Sequence, residues 1–310
     1  MNKILCVVGP TASGKTALAI ELAKELDGEV VSCDSMQVYR RMDIGTAKPT
    51  AEEMQGIPHH MIDICEPTED FSVSLYTDMA TPIVDDILAR GKTVIIAGGT
   101  GLYAESLIRG NEFSPIPATG HRQRLETRVE TEGVEPLLAE LEAIDPVSAA
   151  NSQRNPRRII RALEVYYESG ETITAHNLRT QAIPPRYQPI WIGLDFTHRS
   201  DLYARIDKRV EIMLEMGLMD EIRSLLGSGI PEKATALQAI GYKEFVDALA
   251  GRSTMESAVA QVQQSSRRYG KRQLSWFRRN EKMNWIIREP DTPAAEILER
   301  ARQIIRNSDN

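Results

Sequence analysis

Residues Gly9-Pro10-Thr11-Ala12-Ser13-Gly14-Lys15-Thr16 carry glycine, lysine and hydroxyl at the spacing G-x-x-x-x-G-K-[ST], which cradles phosphate. The backbone N–H groups of such a loop and the start of the helix behind it converge on one point that attracts an anion. Lys15 adds a mobile positive charge, and the Thr16 hydroxyl suits a Mg2+ ion bridging phosphate oxygens. A second chemical group follows soon after. The apolar run at 30–34 ends in Asp34, with no neighbouring glutamate of the kind ATP hydrolysis often uses, and Val94-Ile95-Ile96-Ala97 ends in glycine. An acid there faces the bound phosphate as a base acting on an organic acceptor, the arrangement of a small-molecule kinase or another group transferase.

The flanks suit this chemistry. Ile4-Leu5-Cys6-Val7-Val8 reads as a buried strand, and Leu18, Leu22 and Leu26 with Ala19 and Ala23 recur at helical spacing behind the loop. Further strands are expected at Glu29–Cys33, Pro58–Ile64, Thr93–Ala97 and Pro189–Asp195, with a helical pattern over 74–90. Alternating strands and helices predict an α/β fold with a P-loop NTPase-like parallel sheet flanked by helices. Ligands of such sheets sit beyond the carboxyl ends of the strands, so Gly9–Thr16, Asp34 and Gly98-Gly99-Thr100-Gly101 should meet at one site.

Residues 111–120 break the pattern, and from about 120 to 185 only helical periodicity is found. The predicted organisation is a catalytic core of residues 1–112 and 189–310 with an all-helical insertion domain at 113–188. One helix of the insertion is well delimited by Asn155 as N-cap, Pro156 in the first turn and Gly170 as the stop. Ile159, Ile160, Leu163, Tyr166 and Tyr167 form its apolar face, while Arg157 and Arg161 lie four apart on the other. Like charges at that spacing repel, and a docked anion would reverse the sign. A long helix through Leu202, Ile206, Val210 and Met213 carries Arg205 and Arg209, and Ala239–Glu244 opens another helix.

Net charge is −7 over 310 residues, which on average disfavours a polyanionic partner. The average hides a cluster. Between 267 and 282 seven cations (Arg267, Arg268, Lys271, Arg272, Arg278, Arg279, Lys282) stand against Glu281, a local balance of +6. Val259, Val262, Ser266, Tyr269, Gln273 and Trp276 mark the inward side of the same helix. A basic stripe with almost no interleaved acids suits an extended polyanion. The tail at 291–306 reads as a surface helix. Cys6, Cys33 and Cys65 form no C-x-x-C pair, which argues against a disulfide framework or a zinc site and for a reducing cytosol. The chain runs straight into a strand, and no stretch approaches a membrane span, so a cytoplasmic protein with no membrane partner is expected.

The motifs together resemble the tRNA dimethylallyltransferase (IPP transferase) family, in its bacterial form without a zinc-finger extension. The residues that carry the resemblance are Gly9–Thr16, Asp34-Ser35-Met36-Gln37-Val38-Tyr39, Met42-Asp43-Ile44-Gly45-Thr46-Ala47-Lys48-Pro49, Pro58-His59-His60 and Gly98-Gly99-Thr100-Gly101-Leu102-Tyr103. Arg158-Ile159-Ile160-Arg161-Ala162-Leu163-Glu164, Ile240-Gly241-Tyr242-Lys243-Glu244, Lys271-Arg272-Gln273 and Trp276-Phe277-Arg278 complete it, in order across roughly residues 4–290. The resemblance implies transfer of the dimethylallyl group from dimethylallyl diphosphate to N6 of the adenosine 3′ to the anticodon, in tRNAs reading codons that begin with U. The P-loop would then hold the diphosphate leaving group with Mg2+, in place of a nucleotide substrate such as ATP. Asp34 would take the N6 proton, and Lys15, Thr16 and Arg209 would serve the diphosphate. Asp34, Ser35, Met36 and Gln37 would hold the adenine, with Thr100 and Arg122 near the reacting base. Arg157, Arg158, Ile159, Ile160, Arg161, Gly241, Lys243, Lys271 and Arg272 would contact the tRNA anticodon stem-loop. A monomer is expected. Three other readings are an isopentenyltransferase acting on free adenylate, a P-loop small-molecule kinase and a nucleotide-regulated RNA-binding protein without chemistry. The first of these would need no basic surface long enough for a stem-loop.

Overall fold

The five residues of β1 (Ile4–Val8) are all buried, the signature of a strand covered on both faces of a parallel sheet. A computed structural model describes residues 4–111 and 119–308 of the chain. It sets β1 beside β4 (Thr93–Gly98) on one side and β5 (Ile190–Phe196) on the other, with Val7 opposite both Ala97 and Ile192. The complete order is β3-β2-β4-β1-β5-β6, with β2 spanning Gly28–Ser32, β3 His59–His60 and β6 Met283–Arg288, every pairing parallel. The β1, β2 and β4 ends are therefore neighbours, which brings the three sequence motifs that follow them to one edge of the sheet. Gly98 is required there, because a Cβ would lie 2.7 Å from the carbonyl of Cys33.

Chain order in the first half is β1, α1 (Lys15–Glu25), β2, α2 (Ala51–Met54), β3, α3 (Val73–Ala89), β4 and α4 (Gly101–Arg109). The chain divides into two compact units, Met1–Gly110 with Arg186–Asn310, and Asn111–Pro185. The second unit holds α5 (His121–Glu132), α6 (Glu135–Ile144), α7 (Pro146–Ser152), α8 (Pro156–Ser169) and α9 (Ile173–Gln181), with no strand among its described residues. Its core is Leu125, Leu137, Leu141, Ile159, Ile160 and Leu163. Asn155 caps α8 by accepting from the Arg157 N–H at 3.0 Å, and Gly170 ends it at φ 71°. Of the predicted break at 111–120, residues 112–118 lie outside the described residues. Arg186 and Tyr187 go with the first unit: their N–H groups bond the carbonyls of Arg109 and Ile108, and the Tyr187 hydroxyl donates to Asp85 at 2.7 Å.

After β5 come α10 (Arg199–Glu215), α11 (Leu218–Gly227), a 3-10 turn at Ala236–Gln238, α12 (Lys243–Leu249), α13 (Met255–Phe277), β6 and α14 (Ala294–Asn307). Three features differ from expectation. The strand expected over Pro58–Ile64 shrinks to His59–His60, because Met61 (φ 64°) and Asp63 (φ 55°) turn left-handed. That turn aims Asp63 at the buried ammonium of Lys48, which also bonds Asp43 and the Tyr39 carbonyl. Strand β6 has no counterpart in the sequence pattern; among its residues only Ile286 is fully buried, so it lacks the unbroken apolar run of a central strand. Finally, α14 is more than a surface helix: Ile297, Ala301 and Ile305 are buried in one cluster with Leu18, Leu22 and Ile286.

Candidate active site

The P-loop leaves β1 at Gly9, where an added Cβ would meet the Leu194 carbonyl at 2.8 Å, and turns through Ala12 (φ 63°) and Gly14 (φ 90°) into α1. Thr11, Ala12, Gly14, Lys15 and Thr16 line a cavity of about 840 Å3. The opposite walls are Asp34, Ser35, Met36 and Gln37 after β2, Arg205 and Arg209 on α10, Gly241 before α12, and Tyr269, Arg272 and Gln273 on α13. Val210, Met213, Leu218, Ile240 and Val262 give the same cavity an apolar side. A space that joins a phosphate cradle to an apolar wall suits an organic diphosphate.

Its electrostatics favour an anion. The Lys15 ammonium bonds only the Pro10 carbonyl among the described residues, at 3.3 Å. Burial lowers its pKa to about 8, and the nearby Arg209 adds to the fall, while Asp34 opposes it. Burial also lowers the Arg209 pKa, with Asp34 and Glu53 opposing and Arg205 reinforcing the fall. Two cations held beside each other in a partly dry site are stabilised when an anion enters between them. Arg209 donates to the Thr11 hydroxyl at 3.2 Å, and Arg205 donates to the Ala12 carbonyl at 3.1 Å. Arg205 therefore sits on the P-loop as closely as Arg209 does. Sequence alone places Arg205 on the helix without a role, although its spacing of four from Arg209 sets both on one face.

Asp34 and the residues after it are held from several sides. The Asp34 carboxylate accepts from the Met36 N–H at 2.9 Å. Gln37 donates to the carbonyls of Thr46 and Ala47 at 3.3 and 3.2 Å and takes a bond from the Ser32 hydroxyl. Thr100 is turned to this segment: its hydroxyl oxygen accepts from the Ser35 N–H at 3.1 Å and pairs with the Ser35 hydroxyl. The segment 43–45, just before Thr46 and Ala47, is fixed by Glu221, whose carboxylate accepts from the N–H groups of Asp43, Ile44 and Gly45 and from the Tyr242 hydroxyl. Glu221 is invisible to sequence reasoning, since nothing local marks a helix carboxylate as the partner of a loop some 180 positions away in sequence.

The basic helix α13 turns Val262, Gln273, Leu274 and Phe277 inward. Two of the seven cations in this region have acidic partners on other elements: Arg267 bonds Asp207, and Arg278 bonds the buried Asp195 at 2.8 Å. Arg272 lies over the Tyr269 ring and Arg279 over that of Trp276. Lys271, Arg272 and Arg279 are exposed and form no ion pair among the described residues. Lys243 is exposed at the start of α12, and Gly241 (φ 94°) precedes it.

In the insertion unit, Arg157, Arg158 and Arg161 are exposed on α8, but Arg161 bonds Glu164, as does Arg122 at 3.3 Å. Ile159 and Ile160 require a correction as nucleic-acid contacts: their side chains are 0% and 5% exposed in the unit's core, so their contribution is to set the arginines on the surface.

The family model for IPP transferase matches residues 37–280. The chain belongs to the IPP transferase family. Among its relatives, the tRNA dimethylallyltransferase of Halalkalibacterium halodurans is 47% identical over 287 residues, 92% of this chain and 91% of that protein. The protein of the same name from Roseiflexus castenholzii is 44% identical and spans 99% of both chains. The crystal structure of a full-length tRNA isopentenylpyrophosphate transferase from Bacillus halodurans is 42% identical, with a TM-score of 0.72 over 100% of both chains. A eukaryotic dimethylallyltransferase acting on tRNA is 27% identical with a TM-score of 0.82, covering 99% of this chain and 80% of that one. The chain thus has a P-loop NTPase-like parallel sheet flanked by helices, and these solved structures share its fold. No helix of its described residues is long and apolar enough to cross a membrane.

Proposed function

We propose that the chain transfers the dimethylallyl group from dimethylallyl diphosphate to N6 of the adenosine 3′-adjacent to the anticodon, in tRNAs reading codons that begin with U, and releases diphosphate. The single observation that carries this reading is the shared cavity: Lys15, Arg209 and Asp34 line it together with an apolar wall. The family and the names of its relatives support the same assignment.

The chemistry follows from these groups. The N6 lone pair attacks C1 of the dimethylallyl group, the C1–O bond breaks, and the diphosphate takes the bonding electrons. Lys15, Arg209 and the P-loop N–H groups stabilise the charge growing on the departing oxygen. Asp34 accepts the N6 proton, so the product amine is neutral. The apolar wall excludes water, which would otherwise capture the allyl group. Mg2+ fits this site by donor chemistry. Thr16 and Asp34 line the cavity together, and Mg2+ takes few protein ligands and several phosphate and water oxygens. Thr16 would hold it, and it would neutralise the diphosphate when bound.

The target base is stacked in the anticodon loop and must flip out to reach Asp34. Lys271, Arg272 and Arg279 beside the core, with Arg157 and Arg158 of the insertion, would grip RNA phosphates. The protein acts as a monomer in the cytoplasm, where tRNA and the diphosphate donor meet it. The test is direct: unmodified tRNA is incubated with the protein, dimethylallyl diphosphate and Mg2+, digested to nucleosides and analysed by mass. One dimethylallyl group added to adenosine is expected. Label appearing on a small acceptor from ATP, with no prenylated nucleoside, would replace this reading with the kinase.

A further inference from the structure

We propose that Gln273 is a positioning residue that couples the diphosphate loop to the RNA-facing helix, so that RNA and diphosphate strengthen each other's binding. The side chain of Gln273 is 5% exposed and bridges two loops that the chain separates widely. Its Oε1 accepts from the Thr11 N–H at 2.9 Å, and its Nε2 donates to the Gly99 carbonyl at 3.0 Å. Thr11 offers a donor and Gly99 an acceptor, so only an amide in this orientation satisfies both. Gly99 has no room for a side chain, since a Cβ would lie 2.1 Å from Nε2.

The neighbouring turns of α13 tighten the same link. A Cβ on Gly101 would meet the Trp276 ring at 2.3 Å, and one on Gly270 would lie 3.7 Å from Pro10. The helix therefore rests on the P-loop and on the glycine loop at once. Thr11 is held at both ends, its N–H by Gln273 and its hydroxyl by Arg209. Lys271 and Arg272, the residues just before Gln273, are exposed to solvent. An RNA gripped by this basic face would stiffen the helix turn that carries the amide, and with it the loop that must receive the diphosphate. The ordering cost is then shared between two ligands, and the coupling is reciprocal.

This inference rests on the reading of the site as a tRNA prenyltransferase. The experiment measures binding of a fluorescent, unmodified anticodon stem-loop RNA by anisotropy, with and without inorganic diphosphate and Mg2+, so that no chemistry can occur. Diphosphate should tighten RNA binding to the wild-type chain about tenfold, within the usual range of coupling between sites. In Gln273→Met and Gln273→Glu the enhancement, read as the ratio of RNA affinities with and without diphosphate so that a change in either ligand alone cancels, should fall below about twofold. Gln273→Glu keeps the bond from Thr11, replaces the donor to Gly99 by a carboxylate oxygen and adds a negative charge beside the P-loop, so it is read at saturating diphosphate and decides the matter if the Met variant unfolds. Independently of any variant, RNA alone should slow hydrogen exchange of the 9–16 segment in the wild-type chain. Unchanged exchange, no enhancement in the wild type, or full enhancement in the variants would overturn the coupling. Loss of coupling with intact prenyl transfer would leave the enzymatic reading standing. Absence of prenylated adenosine would sink that reading instead.

Discussion

Arg267 donates to both carboxylate oxygens of Asp207, at 2.6 and 2.7 Å, and so joins α13 to α10 instead of serving the basic surface. Arg278 is engaged in the same way by Asp195. The run of positive charge around α13 thus divides into two structural pairs and a set of exposed groups, of which Arg272 and Arg279 lie over Tyr269 and Trp276.

The two populations respond differently to mutation. Arg272→Glu with Arg279→Glu should weaken RNA binding and lower the log–log salt slope by about 0.7 to 0.9 for each RNA phosphate that is no longer neutralised. Arg267→Gln should leave that slope nearly unchanged and instead lower the melting temperature. Filter binding across a salt series, beside thermal unfolding, separates the two; equal slopes for both variants would contradict the division.

Asp34 is expected to act on the proton of the acceptor. Asp34→Asn keeps the shape and one oxygen able to accept from Met36, so the fold and both substrate affinities should hold within a few-fold. The single-turnover rate should fall by about 10² to 10⁴, the range for removal of a general base. Excess Mg2+ should not restore it. Recovery to near the wild-type rate in a magnesium titration would make Asp34 a metal-site residue.

The depressed pKa of Lys15, about 8, has a consequence for diphosphate binding. An anion favours the charged ammonium, so the bound state holds its proton to higher pH than the free state. Below about pH 8 Lys15 is charged in both and adds no pH dependence; above it, binding must take up a proton and affinity falls as pH rises. Calorimetry in two buffers of different ionisation enthalpy at pH 8.5 should register uptake of roughly half a proton or more from this group. Lys15→Arg, whose guanidinium stays charged, should lose that component. An unaltered uptake in Lys15→Arg would assign the proton elsewhere.

Glu221 gathers three backbone N–H groups of residues 43–45 and the Tyr242 hydroxyl, at 2.6 to 3.2 Å. Glu221→Ala should cost about 2–3 kcal/mol in urea unfolding, as expected when hydrogen bonds to a charged acceptor are removed. Because the next two residues, Thr46 and Ala47, hold Gln37 through their carbonyls, KM for tRNA should rise more than KM for the diphosphate. A stability loss with both KM values unchanged would confine Glu221 to the scaffold.

Local pattern alone determined much of this protein. Apolar runs of four or five residues, a glycine–lysine–threonine loop and well-capped helices each carry their signal within a dozen positions. For this reason β1, α1, β4, α8 and α13 are legible in the sequence, as is the meeting of Gly9–Thr16 with Asp34 at one edge of the sheet. Tertiary structure decided whatever depends on partners far apart in the chain. The strand expected at 58–64 gives way to a turn because Asp63 is drawn to Lys48. The edge strand β6 exists because Trp191–Phe196 offers it a ladder. Arg267 and Arg278 leave the basic stripe because acids on α10 and β5 reach them. Gln273 reads in sequence as one more inward residue of a helix; only packing shows that its amide closes the gap between Thr11 and Gly99. A hydrogen bond between residues more than a hundred positions apart has no local energetic signature, so only the folded chain reveals it.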